Sequence, residues 1–410
     1  MAGQHAAPKR PPHPGPLAGM RVLELAQIMA GPTTGLVLAD LGADVIKVEK
    51  LPGGDDSRGY REPRINGVSA PFLMMNRNKR GIALNLKHPQ GREILLRMVR
   101  DADVLTENYR TGTLEKLGLG YDVLSGVNPG LIYCAITGFG RDGPWADKGG
   151  FDLIAQGFAG LMSITGEPGG APAKTGNPVS DISAGNLAVV GILAAYVHKL
   201  KTGRGQVVDT SLMEAAVQQT YWHAAIYLAT ATSPGATGSA HVLSAPYQAF
   251  HARDGWLNIG GANQANWERI ATVLGHPEWR DDPRFRTNSD RMTHLPELAR
   301  LMNEVLGTRT RAEWMEAFDA AGVPVGPVHS IGEALNHPQT LARGMVVDLE
   351  HPQAGPTKAL GCPIHFSETQ AAVTRPAPLL GEHTRELLRD YGYGDADIDR
   401  FIADGVIETA

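Results

Sequence analysis

The stretch "RVLELAQIMAGPTTGLVLADLGADVIKVE", Arg21–Glu49, decides the fold class. "RVLEL" is short, apolar and bounded by turn residues, so it predicts a strand. "GPTTGLVLADLG" predicts a helix, and "ADVIKVE" (43–49) a second strand. The same alternation continues: "GIALNLK" (81–87), "ADVLTEN" (102–108) and "LIYCAITGFG" (131–140) read as strands, with the helix "PQGREILLRMVRD" between the first two. Strands alternating with helices imply an α/β fold, a doubly wound, Rossmann-like parallel sheet. Ligands of such sheets bind at the carboxyl ends of the strands. Here those ends are Ala26–Ala30, Glu49–Leu51, Lys87, Asn108–Arg110 and Thr137–Gly140.

The 410 residues exceed one typical core, so more than one domain is expected. The reading is a disordered, Pro-rich tail over 1–16 and a large domain over 17–220. A smaller inserted α+β domain over 240–326 and a segment over 345–410 returning to the large domain follow. Within the small domain "APYQAFHARDGWLNIGG" reads as a hairpin turning at Arg253–Gly255, and "GCPIHF" near the end as a strand. "TGRGQVVDTSL" (202–212) leads into a further strand of the sheet. A net charge of -5 gives no electrostatic case for nucleic acid. The apolar run Leu187–Val197 falls short of the ~20 residues of a membrane span, so no membrane partner is expected. Two isolated cysteines and no signal-peptide pattern suit a cytoplasmic protein without structural zinc.

No G-x-G-x-x-G follows the first strand, and no Walker A, H-E-x-x-H or G-x-S-x-G motif occurs. The histidines have no metal-ligand spacing, so neither a metal nor a tightly bound cofactor is expected. "NRNKRG" (76–81) is a dense basic cluster: a solvated face, or a supply of charge for a polyphosphate ligand together with Lys50, Lys87, Arg110 and Lys116. "GFGRDGPWADKGGFD" (138–152) is a long glycine-rich loop, a surface connection or a binding loop.

In "TGNPVSDISAGNLAVVGILAAYV" (175–197), Asp181 precedes a run that is small and apolar on every side. Spacing and composition favour a helix N-cap, which Asp fills well. A nucleophile is the alternative: the run predicts a buried helix, its dipole would hold the carboxylate ionised, and small neighbours leave room for an acyl group.

The chain resembles the class III coenzyme A transferases of the CaiB/BaiF type, from about Leu17 to the C-terminal helix. The resemblance rests on "AGPTTGLVLADLGADVIKVEK", "NRNKRGIALNLKHPQGREILL", "ADVLTENYRTGTLEKLGLGY", "DLIAQGFAGLMSITGEP", "TGRGQVVDTSL", "PYQAFHARDGW" and "PLLGEHT". It implies that Asp181 is the catalytic carboxylate. It implies coenzyme A contacts at Met29, Ala30, Lys50, Leu84, Asn85, Leu86, Lys87, Asn108, Tyr109, Arg110 and Lys116, with Gly138 and Gly140 as donors or covers. Coenzyme A and its acyl thioester would be substrates. An interlocked homodimer is implied as well.

The implied chemistry runs through an aspartyl mixed anhydride and an aspartyl-CoA thioester. It needs no general base, because every nucleophile is already an anion. Racemases resembling this family use a His directly before an Asp; here Phe151 precedes Asp152, and Phe carries no proton. The consecutive glycines of formyl-CoA transferase are missing, and Tyr60 and Met29 stand where oxalate-using members tend to have Trp and Gln. The region 238–250, with His241, is closer to transferases that use succinyl-CoA and dicarboxylates. In "SRGYREPR" (57–64), Arg58, Arg61 and Arg64 are candidates for the acceptor's distal carboxylate, because Arg binds carboxylates in bidentate fashion. A thioesterase, a racemase or a coenzyme A binder without turnover are the alternatives.

Overall fold

The computed structural model describes residues 15–410; of the expected tail, residues 1–14 lie outside the described residues. The chain divides into two compact units, 1–159 with 176–219 and 338–410, and 160–175 with 220–337. The second unit is therefore wider than the 240–326 read from the sequence.

Seven strands build the sheet of the first unit: β1 (Arg21–Leu25), β2 (Asp44–Glu49), β3 (Arg80–Leu84), β4 (Val104–Glu107), β5 (Ile132–Thr137), β6 (Val207–Ser211) and β7 (Ile407–Glu408). Their order is β7-β3-β2-β1-β4-β5-β6. All neighbours are parallel except β7, which runs antiparallel to β3. The register sets Val22 beside both Val45 and Val104. The order reverses direction between β1 and β4, and that switch point opens a crevice at the strands' carboxyl ends.

Alternate side chains of each strand face opposite ways. Leu23, Leu25, Ile46, Val48, Ile82, Leu84 and Leu105 pack on one face against Ile94, Leu95 and Met98 of the helix Pro89–Val99. Leu387, Leu388, Ile398 and Phe401 near the C-terminus complete that layer. The opposite face carries α1 (Ala30–Asp40) and the long α3 (Val179–Thr202), which pack on each other. The short helix α2 (Asp152–Phe158) and α4 (Leu212–Gln218) lie against α3. Helices therefore cover both faces, as the doubly wound reading required.

Three expectations fail locally. "GCPIHF" is not a strand; the pair Val346–His351 and Gly355–Leu360 forms the hairpin there instead. β3 ends at Leu84, because Asn85 Oδ1 turns back to accept the N–H of Lys87 at 3.1 Å. α3 is also not buried on every side. Ala184, Gly185, Ala188, Ile192 and Ala195 are buried, while Val190, Val197 and Leu200 are exposed. By length and composition the whole helix passes as a membrane span, which the shorter run 187–197 did not.

The second unit has its own antiparallel sheet of Tyr247–Ala252, Gly255–Gly260 and Val325–Pro327, with the hairpin turn where expected. Its core is aromatic, built on Phe250, Trp267, Phe285, Trp314 and Phe318.

Candidate active site

The switch-point loop leaves β1 at Ala26 and enters α1 at Ala30. Asn108, just past β4, pairs with the backbone of Gln27: its Oδ1 accepts the Gln27 N–H and its Nδ2 donates to the Gln27 carbonyl, both at 2.9 Å. The next residue, Ile28, has φ +66°, a left-handed conformation that a β-branched side chain rarely adopts. Such strain costs on the order of 1–3 kcal/mol and persists only where the surroundings enforce it. Both oxygens of Asp55 accept the Ile28 N–H at 3.2 Å. Met29 caps α1 without any side-chain hydrogen bond. The first backbone N–H groups of a helix have no intrahelical partner, so Ala30 and Gly31 present theirs at its mouth.

Asp181 stands beside that mouth, in the first turn of α3. It is not the cap, because the N-cap position is Pro178. Asp152, at the start of α2, caps α3 instead: its Oδ1 accepts the Ser180 N–H at 2.9 Å. The Asp181 side chain makes no hydrogen bond among the described residues, and its carboxyl is pushed up to about 7. Burial is the main cause and the neighbouring Asp152 charge the second. Desolvation and like charge thus oppose ionisation at the place where the sequence predicts a helix dipole favouring it. Gly185, one turn on, closes the packing, since a Cβ there would come 2.7 Å from the Ala30 carbonyl oxygen.

Asp181 shares one cavity of about 250 Å³ with Met29, Ala30, Asn108, Tyr109, Arg110 and Gly138. Gln27, Ile28 and Thr137 of the expected carboxyl edge also line it, as do Gly149 and Gly150 of the glycine-rich loop, whereas Asp56, Thr111, Ile136, Lys148 and Leu212 were missed by the sequence reading. Most of these follow from the strand ends once the switch point is known. Gly149 and Gly150 come from the glycine-rich loop folding back: a Cβ on Gly138 would lie 2.7 Å from the Gly150 Cα. Phe151 lines the cavity and is 71% exposed.

Lys50, Leu84, Asn85, Leu86 and Lys87 line a second cavity, and Tyr109 borders both. Lys116 lies next to its wall residue Leu117. Gly140 lines neither; its N–H donates to Thr137 Oγ1 at 2.9 Å.

The arginines of 57–64 are placed otherwise. Arg58 grips Glu49 with two bonds of 2.6 and 2.7 Å, donates to the Pro378 carbonyl and lies over the Phe72 ring. Arg64 donates to the carbonyls of Tyr60, Gly67 and Arg58. Tyr60 and Arg61 are exposed and line neither cavity. His241 belongs to the second unit, where it stacks on Tyr247 at 5.2 Å and lines a hollow with Trp222 and His223.

The basic cluster 76–81 does not supply charge to either cavity. Arg77 is paired with Asp40 at 2.6 Å, Lys79 with Glu24 at 2.8 Å and Arg80 with Asp44 at 2.8 Å, all buried. Under α1, Lys47 sits between Glu24 at 3.0 Å and Asp55 at 2.8 Å. Strand patterning gave no hint of these partners, because Glu24 and Lys47 lie on strands buried along their whole length and pair only in the folded sheet. Among the described residues no group of three His, Cys, Asp or Glu side chains is arranged to hold a metal.

The chain matches the profile of CoA-transferase family III over residues 17–384. It is 37% identical over 394 residues to the succinyl-CoA:glutarate CoA-transferase of Mus musculus, covering 96% of this chain and 90% of that one. It is 40% identical over 389 residues to the succinate–glutarate CoA-transferase of Agrobacterium fabrum, covering 93% and 96%. The crystal structure of a CAIB/BAIF family protein from Brucella suis superposes with a TM-score of 0.82 at 39% identity, covering 92% of this chain and all of that one. With a Rossmann-like sheet, a crevice at its switch point and these likenesses over nearly the whole length, the chain belongs to CoA-transferase family III and is a CoA-transferase.

Proposed function

We propose that the protein moves coenzyme A from succinyl-CoA, or a similar acyl-CoA, to a carboxylic acid, with Asp181 as the covalent carrier. The relatives named for succinyl-CoA and glutarate support a dicarboxylic donor and acceptor. The observation that carries the reading is the state of Asp181: a carboxyl without a hydrogen bond, raised to about 7, in one cavity with the open start of α1. A carboxylate of that basicity is a better nucleophile than an ordinary aspartate and is still substantially ionised near neutrality.

Asp181 attacks the thioester carbonyl and the C–S bond breaks, giving an aspartyl–acyl anhydride and coenzyme A thiolate. The thiolate attacks the aspartyl carbonyl, releasing the donor acid and leaving an aspartyl thioester. The acceptor carboxylate attacks that thioester and frees the thiolate again. The thiolate then takes the acceptor acyl group, and Asp181 leaves as carboxylate. No proton moves in any step. The Ala30 and Gly31 N–H groups stabilise the oxyanions, an interaction worth a few kcal/mol per donor. Lys50, Leu84–Lys87, Asn108–Arg110 and Lys116 hold coenzyme A along the strand ends, with Gly138 and Gly140 covering it. Tyr60 and Arg61 are the residues of the first unit that the reading keeps as candidates for the acceptor.

The working form is a homodimer in the cytoplasm, each chain interlocked with its partner. Exposed Phe151, Leu153, Ile154 and Phe158 around α2, with Val190, Val197 and Leu200 on α3, support a partner surface. The test is to trap the protein with succinyl-CoA and hydroxylamine and map the adduct by mass spectrometry. Modification of Asp181, with turnover in Asp181→Ala down at least about 1000-fold, is expected. Full activity of Asp181→Ala without any adduct would sink the reading. Hydrolysis without transfer would replace it with a thioesterase.

A further inference from the structure

Lys47 and Asp55 touch neither cavity, yet together they hold the loop that ends at Ala30. Lys47 Nζ donates to the Ala26 carbonyl at 2.9 Å and to Asp55 Oδ2 at 2.8 Å. Asp55 in turn takes the Ile28 N–H on both oxygens. Asn108 fixes Gln27 between these two points. Three consecutive residues of the loop are thus clamped, and only the last carries a strained backbone.

The clamp is itself buried and neutral. Lys47, Glu24 and Lys79 side chains are fully buried, as is that of Asp55. Ser57 adds its N–H at 2.9 Å and its hydroxyl at 2.7 Å to Asp55. The Asp55 N–H is anchored on Glu49 at 2.9 Å. Asp55 therefore has no freedom to follow Ile28; Ile28 must come to Asp55. A left-handed residue at 28 reverses the chain direction two residues before the helix. Ala30, the first residue of α1, lines the cavity that holds Asp181.

We propose that Asp55, fixed by Lys47, is a positioning residue for the transfer reaction: its hold on the Ile28 N–H keeps Ile28 left-handed and so keeps the start of α1 aimed at the reacting carbonyl. This deepens the reading of Asp181 given above and rests on it. Without the Asp55 charge, Ile28 relaxes to negative φ and the Ala30 N–H swings out of line. Binding of coenzyme A along the other strand ends is left intact, so turnover suffers rather than affinity.

The test uses the full-length protein with succinyl-CoA and glutarate. Asp55→Asn is expected to lower kcat about 100-fold, the size of effect a small misplacement produces, with KM for succinyl-CoA changed less than about threefold. Ile28→Gly in the Asp55→Asn background is expected to restore kcat at least about tenfold, because glycine enters the left-handed region without penalty. Asp55→Glu keeps the charge beside Lys47 but shifts the acceptor, and carries the same test at reduced size if Asp55→Asn does not fold. Hydrogen exchange over residues 26–31, read without substrate, is expected to quicken in either variant. Unchanged exchange, unchanged kcat, or a joint loss of kcat and affinity that Ile28→Gly does not relieve each overturns the proposal. Asp181→Ala is assayed alongside: full turnover there overturns the aspartyl reading alone, while the exchange and rescue comparison still decides the role of Asp55.

Discussion

Asp152 Oδ1 accepts the backbone N–H of Ser180 at 2.9 Å, while Gln156 Nε2 donates to the other carboxylate oxygen at 2.7 Å. Asp152 thereby serves the start of α3 and leaves the carboxylate of Asp181 without a structural task. Its charge also raises Asp181. Of the two carboxylates, Asp152 does the capping, which leaves Asp181 available for the chemistry proposed above.

Asp152→Asn separates these effects. The amide oxygen still accepts the Ser180 N–H, but the negative charge is gone. The pH midpoint of kcat/KM, expected near 7 on the basic side of which the enzyme is active, should move to lower pH. Asp152→Ala should show the same movement and in addition lose about 1 kcal/mol of stability, the usual value of a cap. A midpoint that does not move in either variant excludes Asp152 as a cause.

Stability should respond to Asp181 in the opposite sense to an ordinary salt-bridged aspartate. The unfolded carboxyl titrates near ~3.9 and the folded one at about 7. Below both values the two states carry the same proton. Between them the folded state keeps a proton that the unfolded state has released, so stability falls as pH rises. Above about 7 the loss is complete. Asp181→Asn avoids it and should be more stable by about 1–3 kcal/mol at pH 8, with the gain vanishing near pH 4. Denaturant melts of both proteins at the two pH values measure this.

Arg58 was a candidate for the acceptor's distal carboxylate, but both of its forks are engaged by Glu49 and Pro378. Arg58→Ala should leave KM for the acceptor within about twofold. It should cost on the order of 2–4 kcal/mol of stability, because Glu49 is then buried without its partner. A large rise in acceptor KM with an unchanged melting point would return Arg58 to the substrate site.

The strand–helix alternation of Arg21–Glu49 and the blocks after it determine the parallel sheet, its carboxyl edge and the candidacy of Asp181. Local patterning suffices there, because short apolar runs bounded by turn residues encode strands without reference to distant chain. The proposed coenzyme A positions, such as Asn108 and Tyr109, follow from the edge and from resemblance together. What Asp181 does in the fold was not legible. A cap and a nucleophile have the same local sequence; the capping is done by Asp152, 29 positions before Asp181 in the chain and brought to Ser180 only by tertiary packing. The basic cluster 76–81 was misread for the same reason. Whether a charge faces solvent or a buried carboxylate depends on Asp40, Glu24 and Asp44, which lie on other elements. The left-handed Ile28 carries no sequence signal either, since nothing about isoleucine asks for that conformation; the carboxylate that takes its N–H, Asp55, and the Lys47 that holds Asp55 come from the neighbouring strand β2 and the loop after it.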